Sequence, residues 1–415
     1  MNMAKSVPVP AATGGRMIQL DVLRGIAILL VLCRHTVLPW SDAGILQPVM
    51  YHLYCLGWTG VDLFFVLSGF LIGGLLFNEI KHTKTLNVKR FLIRRGFKIW
   101  PAYLIYIAFV FVLLVHQNPL HEAWHLIWPN LVHLQNYFPS ARGHTWSLAV
   151  EEHFYLLLPL FLLPVIRYRR PDGSMPAIPI AAVTLIIVCT TLRILINPRL
   201  PLVWQKLIAP THMRIDGLFF GVMLAYFYHL YPEKLARVGR HRALLILLGL
   251  ALISPMAIID QLNSPFVFTV GFTLLYLGYG SILLAFVHIK PGDGPLGKAI
   301  KSPVARIIAW IGVFSYSIYL WHIDLSNIPI EGWLMPRLPH KPLSLFWLIS
   351  TVASMGGAIL VGVVMAKLIE MPVLKLRERL FPRQERAVPK PTPAETTELQ
   401  APALLVPETT SASSV

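Results

Sequence analysis

The sequence predicts an all-α fold, a polytopic bundle of helices that cross a membrane. Hydrophobic residues make up 55% of the 415 positions and charged residues 13%, whereas about a quarter of the residues in a soluble domain are charged. The mean hydropathy is +0.62. Apolar windows of about 20 residues, the length that crosses about 30 Å of hydrocarbon, recur along nearly the whole chain. Because backbone amides cannot stay unpaired in lipid, we predict that these windows are helices.

Ten windows meet this length, and we predict about ten transmembrane helices. In chain order the first five cover residues 17–38, 56–77, 99–116, 147–166 and 177–196. The next five cover residues 212–230, 243–259, 265–287, 304–323 and 343–369.

The basic residues indicate how these helices are oriented. Lys and Arg exceed Asp and Glu by 36 to 20, a net charge of +16. In a soluble protein this excess would suggest nucleic acid, but here it concentrates on alternate connections, as in membrane proteins whose basic loops stay inside. The connection between the second and third helices holds Lys81, Lys84, Lys89, Arg90, Arg94, Arg95 and Lys98. We therefore place both termini in the cytoplasm and expect no nucleic acid partner.

The chain divides into three parts. Residues 1–16 form a cytoplasmic N-terminal segment, residues 17–372 the transmembrane domain, and residues 373–415 a cytoplasmic tail that is first basic and then rich in Pro, Thr and Ala. That composition predicts a disordered tail, and we expect no appended soluble domain. The three cysteines are too few and too scattered for a disulfide framework or a zinc site.

The first window carries ionisable residues where lipid would penalise them. Arg24 and His35 are eleven residues apart, which puts them on one helical face, about 16 Å apart along the axis. An ionisable group in hydrocarbon costs at least about 2.5–3.5 kcal/mol, so such groups usually face the bundle interior and mark function. Two simpler interpretations stay open: Asp21 with Arg24 as a structural ion pair, and His35 as an interfacial side chain.

Other windows place polar residues at the same predicted outer level. They are Asp62 in the second helix, Glu151 and Glu152 in the fourth, Arg214 and Asp216 in the sixth, and His322 and Asp324 at the end of the ninth. Together with His35, which lies near the outer end of the first helix, these residues come from five helices and predict a polar site near the outer surface. A carboxylate beside an imidazole is the combination that general-base catalysis uses.

The predicted inner side is basic where the third helix begins. Arg90, Arg94, Arg95 and Lys98 follow one another at spacings that share a helical face. Arginines in such an array can bind the phosphate of a cytosolic ligand. The alternative is attraction to anionic lipid.

Two further patterns receive structural interpretations. The connection between the third and fourth helices contains His116, His121, His125, His133 and His144, but without a Glu-x-x-His signature or cysteines it does not predict a metal site. The string SGFLIGG, which contains Ser68, Gly69, Gly73 and Gly74, is more typical of close helix packing than of a nucleophile.

Seven strings, in this order, resemble the acyltransferase-3 family of integral-membrane O-acyltransferases. They are LDVLRGIAILLVLCRH, GVDLFFVLSGFLI, RRGFKIWPAY, HTWSLAVEEHFYLLLP, MRIDGLFFGVMLA, FSYSIYLWH and IEMP. The resemblance implies transfer of an acyl group, most often acetyl, from cytosolic acyl-CoA to a hydroxyl of a carbohydrate-containing acceptor. It also implies a location in the bacterial cytoplasmic (inner) membrane.

The resemblance also suggests roles for individual residues. In the family, Arg24 and His35 correspond to an essential pair, Glu151 to the glutamate of the WSL string, and Arg95 and position 98 to an Arg-x-x-Arg element on the CoA side. Lys98 departs from this pattern, because lysine lacks the guanidinium that binds phosphate bidentately. Arg94 offers a neighbouring guanidinium instead.

These observations combine into one hypothesis about the site. His35 is the general base for the acceptor hydroxyl, oriented by Glu151, or else carries the acyl group transiently, and Arg24 holds the donor or stabilises charge on the thioester oxygen. Arg94, Arg95 and Lys98 bind acyl-CoA. The acceptor is supported by Asp62, Glu152, Arg214, Asp216 and His322. We expect acyl-CoA, the acceptor and the bilayer as partners, with no tightly bound cofactor and no metal.

A transporter or flippase is the competing interpretation, because ten helices with buried charges also describe a permease. Against it, the sequence shows neither inverted-repeat hydropathy nor paired broken helices. Covalent acylation of a carbohydrate in the presence of labelled acetyl-CoA would distinguish the two.

Overall fold

The computed structural model describes residues 17–35, 46–196, 208–259, 264–338 and 343–382, and these residues form helices and connections without a strand. The helices up to residue 196 are α1 (Ile18–Arg34), α2 (Leu46–Gly57), α3 (Gly60–Thr83), α4 (Val88–Gln117), α5 (Leu120–Leu131), α6 (Trp146–Arg167) and α7 (Ala177–Ile196).

The helices of the second half continue the all-α pattern. They are α8 (Thr211–Leu230), α9 (Pro232–Gly239), α10 (Arg242–Ile253), α11 (Pro255–Ile258), α12 (Phe272–Val287), α13 (Gly294–Lys301), α14 (Pro303–Val313), α15 (Ser315–Trp321), α16 (Leu343–Met365) and α17 (Met371–Leu380). Wider π-helical turns occur at Val267–Gly271, Ile323–Asn327, Ile330–Leu334 and Ala366–Glu370. The all-α prediction is confirmed, and the described part of each predicted window is mainly helical.

In the part of the chain that the structure describes, fewer helices are long and apolar enough to cross a membrane than the ten predicted. By length and composition, six helices within the described ranges can cross a membrane, or eight if two bent pairs each count as one crossing. One pair, α14 and α15, bends by 62°, where Phe314 leaves helical geometry. The predicted ninth span is therefore not straight. The first predicted window corresponds to α1, which has 17 helical residues in the described part of the chain. The window 212–230 corresponds to α8, which is largely buried by other helices.

The C-terminal end of the described chain also differs from the prediction. Residues 373–382 were expected to begin a tail, yet α17 continues from α16 through the π-helical turn and packs against α4. The physical reason is contact between charged side chains of the two helices, such as the ion pair between Arg94 and Glu378 at 2.9 Å. The predicted N-terminal segment 1–16, the end of the first window at 36–38 and the tail from 383 lie outside the described residues.

Glycines let the central helices approach closely. A Cβ on Gly69 of α3 would collide with the Leu218 carbonyl of α8, and one on Gly221 of α8 would collide with the Val66 carbonyl of α3. Helices α1 and α14 meet in the same way, because Gly25 faces the Ile308 carbonyl. Small residues that allow backbones to touch are the usual means of helix packing in membranes. The predicted packing role of the glycines in SGFLIGG is confirmed.

Gly69→Ala should therefore destabilise the bundle, because the added methyl group forces the backbones of α3 and α8 apart. We expect a loss of about 1–3 kcal/mol, seen as a lower unfolding temperature of the detergent-purified protein. Gly356→Ala is the matched control, since a Cβ there meets nothing within 4 Å. Equal unfolding temperatures for the two variants would contradict the packing role.

Candidate functional site

A cavity opens between α1, α3, α4, α6 and α15, and its lining combines charged and apolar side chains. The volume of the cavity is about 110 Å³. Its charged and polar lining consists of Arg24, Ser68, Arg95, Lys98, Ser147, Glu151, Glu152, Tyr155, Ser315, Tyr316 and Tyr319. Its apolar lining consists of Val61, Phe64, Phe65, Leu67, Leu71, Ile72, Ile99 and Leu148. A pocket with apolar walls and few convergent polar groups is the usual form of a small-molecule site.

The Glu151 carboxylate is fixed in this cavity by two hydrogen bonds. The Ser68 hydroxyl of α3 donates to Oε1 at 2.8 Å, and the Tyr155 hydroxyl donates to Oε2 at 2.8 Å. Tyr155 lies four residues after Glu151 on α6, so the two side chains share a face of that helix. The neighbouring Glu152 accepts a hydrogen bond from the Trp100 indole at 3.0 Å. Both glutamates thus contribute to the cavity lining, with Glu151 held from two helices.

Arg24 and Arg95 are the two arginines of the cavity lining, and in the part of the chain that the structure describes neither has a carboxylate within ion-pair distance. Among the described residues neither one donates a hydrogen bond to the protein. Arg95 lies 5.9 Å from the Phe91 ring and 5.8 Å from the Tyr155 ring. A cation removed from water is stable only if an opposite charge or hydrogen-bond acceptors compensate it. Two guanidinium groups that face one cavity therefore indicate a site for an anionic ligand.

The other two predicted donor-binding residues are engaged by the protein. Lys98 lines the cavity but forms an ion pair with Glu370, which also accepts a hydrogen bond from Ser317 at 2.8 Å. Arg94 forms an ion pair with Glu378 of α17 and is not part of the cavity lining. Of the three basic residues predicted to bind acyl-CoA, Arg95 is therefore the one that lines the cavity and forms no ion pair within the described residues.

The sequence placed the basic cluster and Glu151 at opposite sides of the membrane, and this expectation is wrong. Arg95 and Lys98 of this cluster line the same cavity as Glu151. The cause is the length of α4, which begins at Val88 rather than near residue 99. Arg95 therefore lies seven residues into the helix, which is about 10 Å from its start.

His35 lies in a cluster of three imidazoles beside the cavity. Its ring centroid is 4.9 Å from that of His322, which is 5.4 Å from that of His144. The His322 Nδ1 is 2.8 Å from the Tyr319 carbonyl. A carbonyl can only accept, so this nitrogen carries the proton and Nε2 presents a lone pair. That Nε2 is buried without a hydrogen-bond partner in the described part of the chain. The imidazoles are not arranged as a metal site among the described residues.

A buried ion pair supports this histidine cluster. The Asp324 carboxylate accepts a hydrogen bond from the Arg142 Nε at 2.6 Å and one from the Tyr106 hydroxyl at 2.6 Å. Burial disfavours the charged guanidinium, but the hydrogen bond and charge of Asp324 outweigh it and raise the pKa of Arg142 above its usual value. Arg142 therefore stays cationic and fixes the position of the Asp324 carboxylate. Asp324 follows His322 by two residues in the chain.

Tyr319 separates the histidine cluster from the cavity. Its hydroxyl lies 2.7 Å from the Ser147 Oγ and donates to the His144 carbonyl at 2.5 Å, while its ring packs against those of His144 and His322. Both Tyr319 and Ser147 line the cavity. The His35 cluster thus adjoins one end of the cavity, behind a single aromatic ring.

The expected contact between His35 and Glu151 does not occur among the described residues. His35 packs on His322, whereas Glu151 is bonded to Ser68 and Tyr155. Helical periodicity predicts how far along its helix each residue lies, but it does not predict which residues of other helices lie beside it. His144 and Ser68 were assigned structural interpretations for the same reason.

The remaining predicted acceptor residues form a separate buried ion network. Arg214 pairs with Asp62 at 2.5 Å, and Arg193 pairs with Asp216 at 2.9 Å. Arg214 also lies 3.8 Å from the centroid of the Phe272 ring. This network joins α3, α7, α8 and α12, and none of its charged residues lines the cavity. Sequence reasoning missed Arg193, whose position in the apolar α7 was its only signal.

Comparison with known proteins gives an independent result. A family model described as an acyltransferase domain matches residues 17–364. The peptidoglycan O-acetyltransferase OatA of Listeria monocytogenes is 26% identical over 329 residues, which cover 74% of this chain and 49% of that protein. The O-acetyltransferase OatA of Staphylococcus aureus is 24% identical over 341 residues, 77% of this chain and 52% of that protein. The chain spans about half the length of these curated relatives. No solved structure matches it.

Asp216→Asn tests whether the buried ion network is structural. Removing this charge leaves the buried Arg193 without its carboxylate partner, so we expect a loss of about 3–5 kcal/mol of stability. The unfolding temperature of the purified protein measures it. Glu378→Gln is the control, because its ion pair with Arg94 is partly exposed and should contribute at most about 1 kcal/mol. An Asp216→Asn protein of full stability would contradict this assignment.

Proposed function

The chain belongs to the acyltransferase-3 family, and from that premise we propose that it is a membrane O-acyltransferase. It transfers an acyl group from acyl-CoA to a hydroxyl group of a carbohydrate-containing acceptor. The proposed acyl group is acetyl, the one most often transferred in this family. The observation that carries this proposal is the cavity in which Arg24 and Arg95 face a hydrogen-bonded Glu151. Such a site combines anion recognition with a group that can accept a proton.

The chemistry of the cavity fits acyl-CoA as the donor. The phosphates of CoA are anionic, its pantetheine arm is thin, and an acyl chain is apolar. Arg95 and Arg24 supply positive charge, and the apolar side chains of α3 supply a surface for the arm and the acyl group. A guanidinium near the thioester would also stabilise the negative charge that develops on its carbonyl oxygen.

The acceptor approaches from the end of the cavity that adjoins His35. The two OatA relatives are named as O-acetyltransferases, one of them acting on peptidoglycan, which supports a cell-wall or other surface carbohydrate as the acceptor. His35 is the general base that takes the proton of the acceptor hydroxyl. His322 and His144 surround it and exclude water.

The proposed location is the bacterial cytoplasmic membrane. The basic connections between helices are expected on the cytoplasmic side, and Arg90 and Arg94 lie in the first two turns of α4, next to the connection that leads into it. With this orientation, the donor enters the cavity from the cytosol and His35 lies toward the outer surface. The reaction would then carry an acyl group across the membrane to an acceptor beyond it.

Arg95→Ala should weaken acyl-CoA binding at least about tenfold, because one charge-assisted contact to phosphate contributes about 1.5–3 kcal/mol. Titration of the purified protein with a non-hydrolysable acyl-CoA analogue at low and high salt measures the effect. Arg94→Ala is the matched control, since Arg94 pairs with Glu378 outside the cavity. Equal losses in both variants would indicate a general basic surface rather than a donor pocket.

His35→Ala should lower acceptor acylation by about 10²–10⁴-fold while acyl-CoA affinity is unchanged, because only the acceptor step uses this base. The measurement follows label from [¹⁴C]acetyl-CoA into peptidoglycan fragments, with the enzyme in lipid vesicles. His116→Ala serves as the control, as His116 is exposed at the end of α4. Undiminished transfer by His35→Ala would remove the imidazole from the mechanism, and no transfer by the wild type would refute the proposed function.

A further inference from the structure

Ser68 lines the cavity, but the proposed function assigns it no role. Its hydroxyl lines the cavity and donates a hydrogen bond of 2.8 Å to the Glu151 carboxylate. The neighbouring Gly69 explains the close packing of α3 on α8. Ser68 itself is not needed for that packing, since its side chain points to α6 and the cavity.

The surroundings of Ser68 have the parts of an activated nucleophile. Such a group needs a base within hydrogen-bond distance and a third residue that orients the base. Glu151 is the base, and the Tyr155 hydroxyl fixes its second oxygen at 2.8 Å. Arg24 and Arg95 line the same cavity without a carboxylate partner within ion-pair distance in the described structure, and they can stabilise an oxyanion.

We propose that Ser68 is the nucleophile that accepts the acyl group from acyl-CoA and carries it as a serine ester. This inference rests on the proposed function, since it assumes acyl-CoA in the cavity. It assigns Glu151 to Ser68 and leaves His35 to the acceptor. Glu151 then acts on the serine hydroxyl to which it is hydrogen-bonded, and His35 acts on the acceptor hydroxyl.

The first step forms the acyl-enzyme. The Ser68 oxygen attacks the thioester carbonyl carbon while its proton passes to Glu151. The carbon–sulfur bond breaks, and CoA leaves as a thiolate that takes a proton from the cytosol. Glu151 keeps the proton from Ser68 and is then a neutral acid beside the new ester.

The second step releases the acyl group to the acceptor. The acceptor hydroxyl attacks the ester carbonyl and gives its proton to His35. As the bond to Ser68 breaks, Glu151 returns its proton to the serine oxygen. His35 then releases its proton to the outer solution. One acyl group has moved, and the enzyme has regained its starting protonation.

A purely structural role for Ser68 predicts a different behaviour. If the hydroxyl only positions Glu151, acyl groups pass directly from CoA to the acceptor and no enzyme ester forms. Purified full-length protein in lipid vesicles distinguishes the two routes when it is mixed with [¹⁴C]acetyl-CoA and no acceptor. We expect one acetyl group bound per protein and an equal burst of free CoA. Mass spectrometry should place the acetyl group on the peptide that contains Ser68.

Variants separate the two steps. Ser68→Ala should form no labelled protein, and Ser68→Cys should form a thioester that neutral hydroxylamine removes. His35→Ala should become labelled but fail to pass the label to peptidoglycan fragments. Ser317→Ala is the matched control, because Ser317 also donates to a buried glutamate at 2.8 Å but lies outside the cavity lining. It should label like the wild type.

The outcomes distinguish this inference from the function on which it rests. Wild-type transfer to the acceptor without a labelled enzyme, label on any residue other than Ser68, or full turnover by Ser68→Ala would overturn the serine ester and leave the acyltransferase intact. A labelled Ser68 with no transfer to any carbohydrate would support the ester and refute the acceptor. Because the wild-type peptide carries the decisive signal, a Ser68→Ala protein that fails to fold does not alter the result.

Discussion

The need to compensate buried charge determines where this protein can have a site. A charge inside a helix bundle must have an opposite charge, hydrogen-bond acceptors or a ligand. Most of the buried charges have protein partners: Arg214 with Asp62, Arg193 with Asp216, Arg142 with Asp324, and Lys98 with Glu370. Arg24 and Arg95 have none within ion-pair distance among the described residues, and both line one cavity. The two arginines can therefore receive an anionic ligand from outside the protein.

The fold was largely predictable because hydropathy reports length and composition. The window 177–196 coincides with α7, and the window 147–166 differs from α6 by one residue at each end. Hydropathy carries no information on direction, so the 62° bend between α14 and α15 was missed. It also could not show that α4 begins eleven residues before its apolar window. That early start brings Arg95 into the cavity.

The types of residue that form the site were predictable from the sequence, but the contacts between residues of different helices were not. Arg24, Glu151 and Arg95 were chosen because charge in an apolar window is costly, and the structure places all three in one cavity. Their contacts depend on residues far apart in sequence, such as Ser68 with Glu151 on another helix. Periodicity within one helix cannot supply such pairs. For the same reason Glu151 was paired with His35, which instead lies against His322.

The separation between cavity and histidine cluster favours two successive steps over one concerted transfer. The two proposed substrates, acyl-CoA and a carbohydrate, are both large, and they would have to reach one carbonyl carbon in a cavity that Tyr319 lines on the side of the histidine cluster. An acyl group on Ser68 removes this conflict, because CoA can leave before the acceptor arrives. The ester also holds the reacting carbonyl carbon beside the protonated Glu151. The carbon is therefore already positioned for the second step. The cavity then needs to admit only one substrate at a time.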